Sequence, residues 1–303
     1  MNDETKRPGL LRALSSGREA GARLRAHANP TTFVSDATRR TVLEELEESS
    51  RRIHDGAPLW ARERAAIAVR AALATLADDD ALRRAKELSF RLEAIDDREL
   101  SDRRHRLSIG TYLPNELLAD LDRLNPAEID PFVLRLLSLD KVPARETERS
   151  AGMVHYLPSP FSSILELASR VGPDDLLVDV GSGLGLIPVL VAWISGARTR
   201  GIELEPAYHR GALALASRVP VSRVELVEAD CRRVSYADAT FVYVYDTIRE
   251  RLLDELLEKI ELDTRGRAVR LASRGMSTPT FDASSWLEKV EVTVTGTSLY
   301  QRA

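Results

Sequence analysis

At 303 residues, with 44% apolar and 30% charged residues and a formal net charge of −4, the chain has the composition of a soluble globular protein. No apolar run reaches the roughly 20 residues of a membrane helix, and the acidic balance argues against a protein built to coat nucleic acid. A single cysteine, Cys231, excludes an internal disulfide framework, and the five histidines show no pairing at metal-ligand spacing, so no metal site is expected.

Residues 1–34 read as a flexible basic arm, because positions 1–40 carry eight Lys/Arg against four Asp/Glu. The start "MNDETKRPGLL" lacks the apolar core of a secretory signal, and a cytoplasmic location is expected. Residues 35–150 carry helical periodicity and few β-branched runs, which predicts a helical bundle. One helix is capped at Ser35 or Asp36 and closes on Gly56, a second starts at Pro58, and a third carries the stripe Leu82, Ala85, Leu88, Leu92 and Ile95. Two short helices are expected near 114–124 and 131–139, the latter begun by Pro131. Tyr112 and Trp60 read as core of this bundle.

From 151 to 303 helix and strand signals alternate. The helix "SPFSSILELASRVG" precedes strands "DLLVDV", "TRGIEL", "VELVEA", "TFVYVY" and "RAVRLAS", with helices between them, and "KVEVTVTGTSLYQR" folds at Gly296 into a terminal hairpin. This order predicts a doubly wound, mostly parallel α/β sheet of seven strands, with the antiparallel hairpin supplying an edge strand.

The stretch "DVGSGLG" closes the first strand and opens a helix, the place where open α/β sheets bind ligands. Its glycines, 181, 183 and 185, follow G-x-G-x-G rather than the dinucleotide spacing G-x-G-x-x-G. Asp179 ahead of them would repel a pyrophosphate, yet suits the ammonium of an amino acid. S-adenosyl-L-methionine (SAM) carries that ammonium, a carboxylate for the helix N-terminus and no phosphate. Glu203, at the end of "GIELEP", stands where an acid accepts ribose hydroxyls. Asp230 and the Cys231 backbone N–H, at the end of "VEADC", are placed for adenine, although an Asp after a strand is also a common turn residue.

Taken together, "LLVDVGSGLG…GIELEP…VELVEADC…FVYVYDT" resembles the class I SAM-dependent methyltransferases over about 155–303. The resemblance implies that Asp179, Gly181, Ser182, Gly183 and Gly185 surround the methionine end, Glu203 the ribose, and Asp230 with Cys231 the adenine. Within the class, "YLPSPFSSILELASRVGPDDLLVDVGSGLG" is most similar to the non-SET histone-lysine methyltransferase group (disruptor of telomeric silencing) and its bacterial relatives. In those proteins a Tyr-x-Pro segment, matched by Tyr156 and Pro158, closes over the methionine part of SAM. Tyr156 reads equally as a packing residue.

The fourth strand departs from the family. Where amino methyltransferases often carry an Asn-rich turn, this chain has Tyr245-Asp246-Thr247-Ile248. Asp246 is a candidate proton acceptor or orienting group and Tyr245 a candidate wall of the acceptor pocket, while Asp246 also fits the N-cap of the following helix. His155 and His209 read as structural or surface residues. Two functions remain in view: a methyltransferase acting on a protein lysine or a small molecule, and a SAM-binding regulatory or assembly module without catalysis.

Overall fold

The computed structural model describes residues 98–124, 126–148 and 151–303, together with Glu44, Arg83 and Lys86, which are helical and exposed. The arm at 1–34, the helices expected over 35–97 and Trp60 otherwise lie outside the described residues. These fall into two compact units, one of residues 107–114 and 137–303, the other of 115–136 with the described positions up to 106.

Residues 98–108, of which those up to 106 belong to the second unit, form a helix that periodicity did not announce, because only Leu100 and Leu107 in it are apolar and buried. Polar contacts hold it instead. Arg103 Nε donates to Asp120 (2.9 Å), and Arg104 donates to the carbonyls of Arg135 (2.6 Å) and Leu136 (3.3 Å). Helix α1 is Pro114–Leu121 and α2 is Pro126–Leu136, each opened by a proline whose missing N–H would lack a partner there. Pro131 therefore does not begin a helix as expected; it lies inside α2. It is exposed, and its missing N–H leaves the carbonyl four residues earlier without its usual helical donor.

The first unit is a seven-stranded mixed sheet in the order β3-β2-β1-β4-β5-β7-β6. In chain order its elements are α3 (Phe161–Arg170), β1 (Leu176–Val180), α4 (Leu186–Ser195), β2 (Arg198–Glu203), α5 (Pro206–Ala216), β3 (Val224–Glu228), β4 (Phe241–Tyr245), α6 (Arg251–Asp263), β5 (Arg270–Arg274), α7 (Thr278–Ala283), β6 (Leu287–Val292) and β7 (Thr297–Arg302). Strands β1 to β5 are parallel, and β7 runs antiparallel to both β5 and β6. The sheet is thus the doubly wound, mostly parallel one expected, and the terminal hairpin supplies its edge: β7 runs beside β5, where Leu299 and Tyr300 are buried, and the exposed β6, antiparallel to β7, lies outermost.

Side chains alternate across a strand, and β1 shows how both faces are used. Leu176, Val178 and Val180 join a core with Leu253, Leu256, Leu257 and Ile260 of α6, Phe281 of α7 and Tyr300. Leu177 and Asp179 face the other way, toward the side of α3 and α4. Helix α4, "LIPVLVAWIS", is apolar almost all round and buried over its first seven residues, as a helix wedged between neighbours must be. Tyr112 belongs to this unit rather than to the helical bundle: its ring stacks on Trp193 of α4, centroids 6.5 Å apart. Among the described residues no helix is long and apolar enough to cross a membrane.

Candidate functional site

The carboxyl ends of β1, β2, β3 and β4 converge on one cavity, bordered by Gly181, Glu203, Asp230, Cys231, Tyr245 and Asp246. A smaller cavity adjoins it, bordered by Asp179, Ser182, Tyr156, Ser159, Tyr245 and the first residues of α4. Gly183 and Gly185 border neither, and each has a different use.

All three loop glycines have left-handed backbones, with φ of 73°, 53° and 80°. The side chain of Thr247, its methyl foremost, lies where a side chain on Gly181 would stand, and its hydroxyl donates to the Val180 carbonyl (2.7 Å). The ring of Tyr156 covers the bare Cα of Gly183 in the same way. Gly185 makes room for Ala212 of α5, so its bare Cα serves packing between helices. The N–H groups of Gly181 and Ser182 both donate to the Ile202 carbonyl (2.8 and 3.0 Å), which holds the loop against β2.

The acids differ in their surroundings. Glu203 is held at both oxygens: Gly183 N–H donates to Oε2 and Glu205 N–H to Oε1, each at 2.8 Å. Burial raises its carboxyl above the ordinary range, with these N–H groups acting in the other direction. Asp179 is 4% exposed and has no hydrogen-bond partner among the described residues. Burial, reinforced by the charge of Glu203, pushes its carboxyl up to about 8. A buried carboxyl of this kind waits for a cation. Beside it, the N–H groups of Leu186 and Ile187, which open α4 ahead of Pro188, have no intrahelical acceptor and suit an anion.

Asp230 does cap a turn: Oδ1 accepts from Arg232 N–H (3.0 Å) at the start of the 3-10 turn Cys231–Arg233. The Arg232 guanidinium also binds both its oxygens (3.0 and 2.6 Å) and holds the carboxyl below its usual range. The Cys231 thiol is buried and pushed up to about 12 by that burial, so it stays protonated. Asp246 is not the N-cap of α6, which begins at Arg251 after Glu250. Its backbone is left-handed (φ 39°) and its Oδ1 accepts from Ser277 N–H (3.1 Å), with Gly275 packed against the carboxylate. It therefore braces the turn that follows β5.

A strap formed by 145–148 and 151–160, irregular in structure, lies across these strand ends. Near the α5 terminus, the buried Glu205 accepts N–H groups from Glu146 (2.8 Å) and Thr147 (3.2 Å) and the Thr147 hydroxyl. Burial alone would raise the Glu205 carboxyl, but the Thr147 hydroxyl and these N–H groups outweigh it and hold it at about 2. Arg145 pairs with Glu205 (3.4 Å) and lies over the Tyr208 ring. Farther along, Val154 N–H donates to the Thr247 carbonyl (3.1 Å), Met153 bridges to Ile248, and Tyr156 sits between Gly183 and Tyr208. Sequence reasoning missed Arg145, Thr147 and Glu205, although "GIELEP" places an acid ahead of a helix-opening proline, which marks an N-cap. His155 is exposed beside the cavity and His209 lies on α5 away from it.

No family model and no curated protein matches the sequence. Among solved structures, the chain is similar to an RNA methyltransferase from Salinibacter ruber in complex with S-adenosyl-L-homocysteine. They share 24% identity over 48% of this chain and 92% of that one, with a TM-score of 0.39. A SAM-dependent methyltransferase from Geobacter sulfurreducens, also with S-adenosyl-L-homocysteine, gives 20% identity over 36% and 46%, and a TM-score of 0.30. A magnesium protoporphyrin IX methyltransferase from Synechocystis with bound SAM gives 12% identity over 47% and 77%, and a TM-score of 0.37.

Proposed function

We propose that the chain is a SAM-dependent methyltransferase. The observation that carries this reading is the buried carboxyl of Asp179 at the head of a glycine loop, without a hydrogen-bond partner among the described residues. An ammonium satisfies it, and the α4 terminus beside it satisfies the carboxylate of the same amino acid. Glu203, fixed by two backbone N–H groups, keeps a second lone pair on each oxygen for a pair of ribose hydroxyls. Asp230 and Cys231 stand at the adenine end, and Tyr156 closes the methionine end.

Bound SAM supplies a methyl group on a sulfonium, whose transfer needs little beyond an aligned acceptor and a route for the acceptor's proton. Tyr245 forms the wall on the acceptor side. Asp246, held still by the turn it braces, orients the acceptor or receives that proton. The sequence resemblance over 153–185 supports an amine acceptor, a protein lysine among them. The hold of the 275–277 turn on Asp246 favours a second reading, a SAM-binding module without catalysis.

Calorimetric titration with SAM and with S-adenosylhomocysteine tests the cofactor. Saturable binding of both is expected, weakened at least tenfold by Asp179→Asn. Absence of binding to the folded wild-type chain would remove this reading.

A further inference from the structure

The carboxyl end of β5 holds a cation that the site described so far does not use. Strand register pairs Asp179 with Tyr243, and Tyr245 with Arg274. Because side chains alternate, Asp179, Tyr243, Tyr245 and Arg274 share one face of the sheet. At about 4.8 Å per strand, Arg274 stands two strands, or ~10 Å, beyond Asp179.

Its guanidinium lies over the Tyr245 ring, 5.7 Å from the centroid, and Nη1 donates to the Thr295 carbonyl. That carbonyl is itself held in place. The hydroxyls of Thr293 and Thr295 both donate to Glu166 of α3, a carboxylate that is 4% exposed. Arg274 is half-buried, yet no carboxylate pairs with it among the described residues. Arg145 and Arg232, which border the cavity, are each paired with an acid. Asp246, the acid nearest in the chain to Tyr245, is turned to the Ser277 N–H. A guanidinium has five donors, and among the described residues one of these is used. Holding up a hairpin carbonyl does not need a planar cation; two-pronged recognition of an anion does.

We propose that Arg274 binds an anionic group of the methyl acceptor, a carboxylate or a phosphate, with the Tyr245 ring beside it. This rests on the reading above that Tyr245, at the end of β4, walls the acceptor side. It assigns the acceptor to small anionic molecules rather than to a cationic lysine.

The test is titration of the full chain, saturated with S-adenosylhomocysteine, with benzoate, phenyl phosphate, benzamide and N-acetyl-lysine amide, followed by ligand-observed NMR. Benzoate and phenyl phosphate are expected to bind, with benzamide and the lysine amide at least tenfold weaker. Arg274→Gln should weaken the two anions at least tenfold and change S-adenosylhomocysteine affinity less than twofold. Arg274→Lys should fall between and, if the glutamine variant does not fold, decides alone. Equal binding of benzamide, preference for the lysine amide, or anion binding indifferent to position 274 overturns the proposal. So does an Arg274→Gln effect on S-adenosylhomocysteine that spares methylthioadenosine, because the cofactor's own carboxylate would then occupy Arg274. If the wild-type chain binds no S-adenosylhomocysteine, the cofactor reading fails, and the same anion series on the free chain still decides the role of Arg274.

Discussion

The ends of β2 and β3 contribute acids to the main cavity and the end of β1 contributes one to the cavity beside it, and the two regions treat them differently. Around β2 and β3 each acid is met by the protein itself: Glu203 by two N–H groups, Glu205 by the strap, Asp230 by Arg232. At β1, none of the described residues meets the buried carboxyl of Asp179 with a hydrogen bond. Groups met in advance hold their geometry and charge before a ligand arrives, whereas an acid left alone gives up its charge until one does. The nucleoside side is thus rigid in advance, and the amino-acid side is completed by what it binds.

Asp179→Asn breaks this contrast most. Affinity for S-adenosylhomocysteine should fall about 100-fold, ~2.7 kcal/mol, while the free protein becomes more stable at alkaline pH. With a carboxyl raised to about 8 from an ordinary 3.8, the native state favours the protonated form. Its contribution is complete below the ordinary value and is lost as pH rises through 8. The variant should therefore melt about 5 °C or more above wild type at pH 8.5, with the gap closing toward pH 4. Calorimetry in buffers of different ionisation enthalpy should also show ligand binding at pH 7 releasing about one proton from wild type and none from the variant.

Glu203→Gln ranks next. An amide has one acceptor oxygen, so one of the N–H groups of Gly183 and Glu205 would face the new NH2. A loss of ~1–3 kcal/mol in stability and at least tenfold in affinity is expected, read by thermal unfolding and titration. Thr147→Val removes one hydrogen bond to Glu205 and should speed ligand dissociation a few-fold, ~1 kcal/mol, with faster hydrogen exchange over 145–148 and 151–157. In the wild type that protection should persist at pH 4. Glu205 is held at about 2, so its contribution is present above the ordinary carboxylate range and is lost only as pH falls through 2. Asp230→Asn should matter least, within about threefold, because its pair with Arg232 is partly solvated.

The same contrast marks how much of the molecule was legible in the sequence. The sheet was legible because β1 and β4 are near-continuous apolar runs, and the loop because glycines at alternate positions have few other uses. What the glycines face was not legible: Thr247, Tyr156 and Ala212 meet Gly181, Gly183 and Gly185 only after distant segments have folded. Asp246 looked like a helix cap because local spacing allowed one, but a turn 31 residues on claimed its carboxylate. The helix at 98–108 escaped notice because arginine contacts to Asp120 and to carbonyls of α2, rather than an apolar stripe, hold it.

The strap and the ribose-facing acid are joined by a short run of bonds. Thr147 and Glu146 hold the side chain of Glu205, and the backbone N–H of Glu205 holds Glu203. Energetic coupling is reciprocal. Whatever a nucleoside gains from a Glu203 steadied by the seated strap, it returns by keeping the strap seated. A site joined in this way tends toward all-or-none occupancy: nucleoside fragments should protect the strap in proportion to their affinity, and the exchange of one ligand for another waits on the release of residues 145–148.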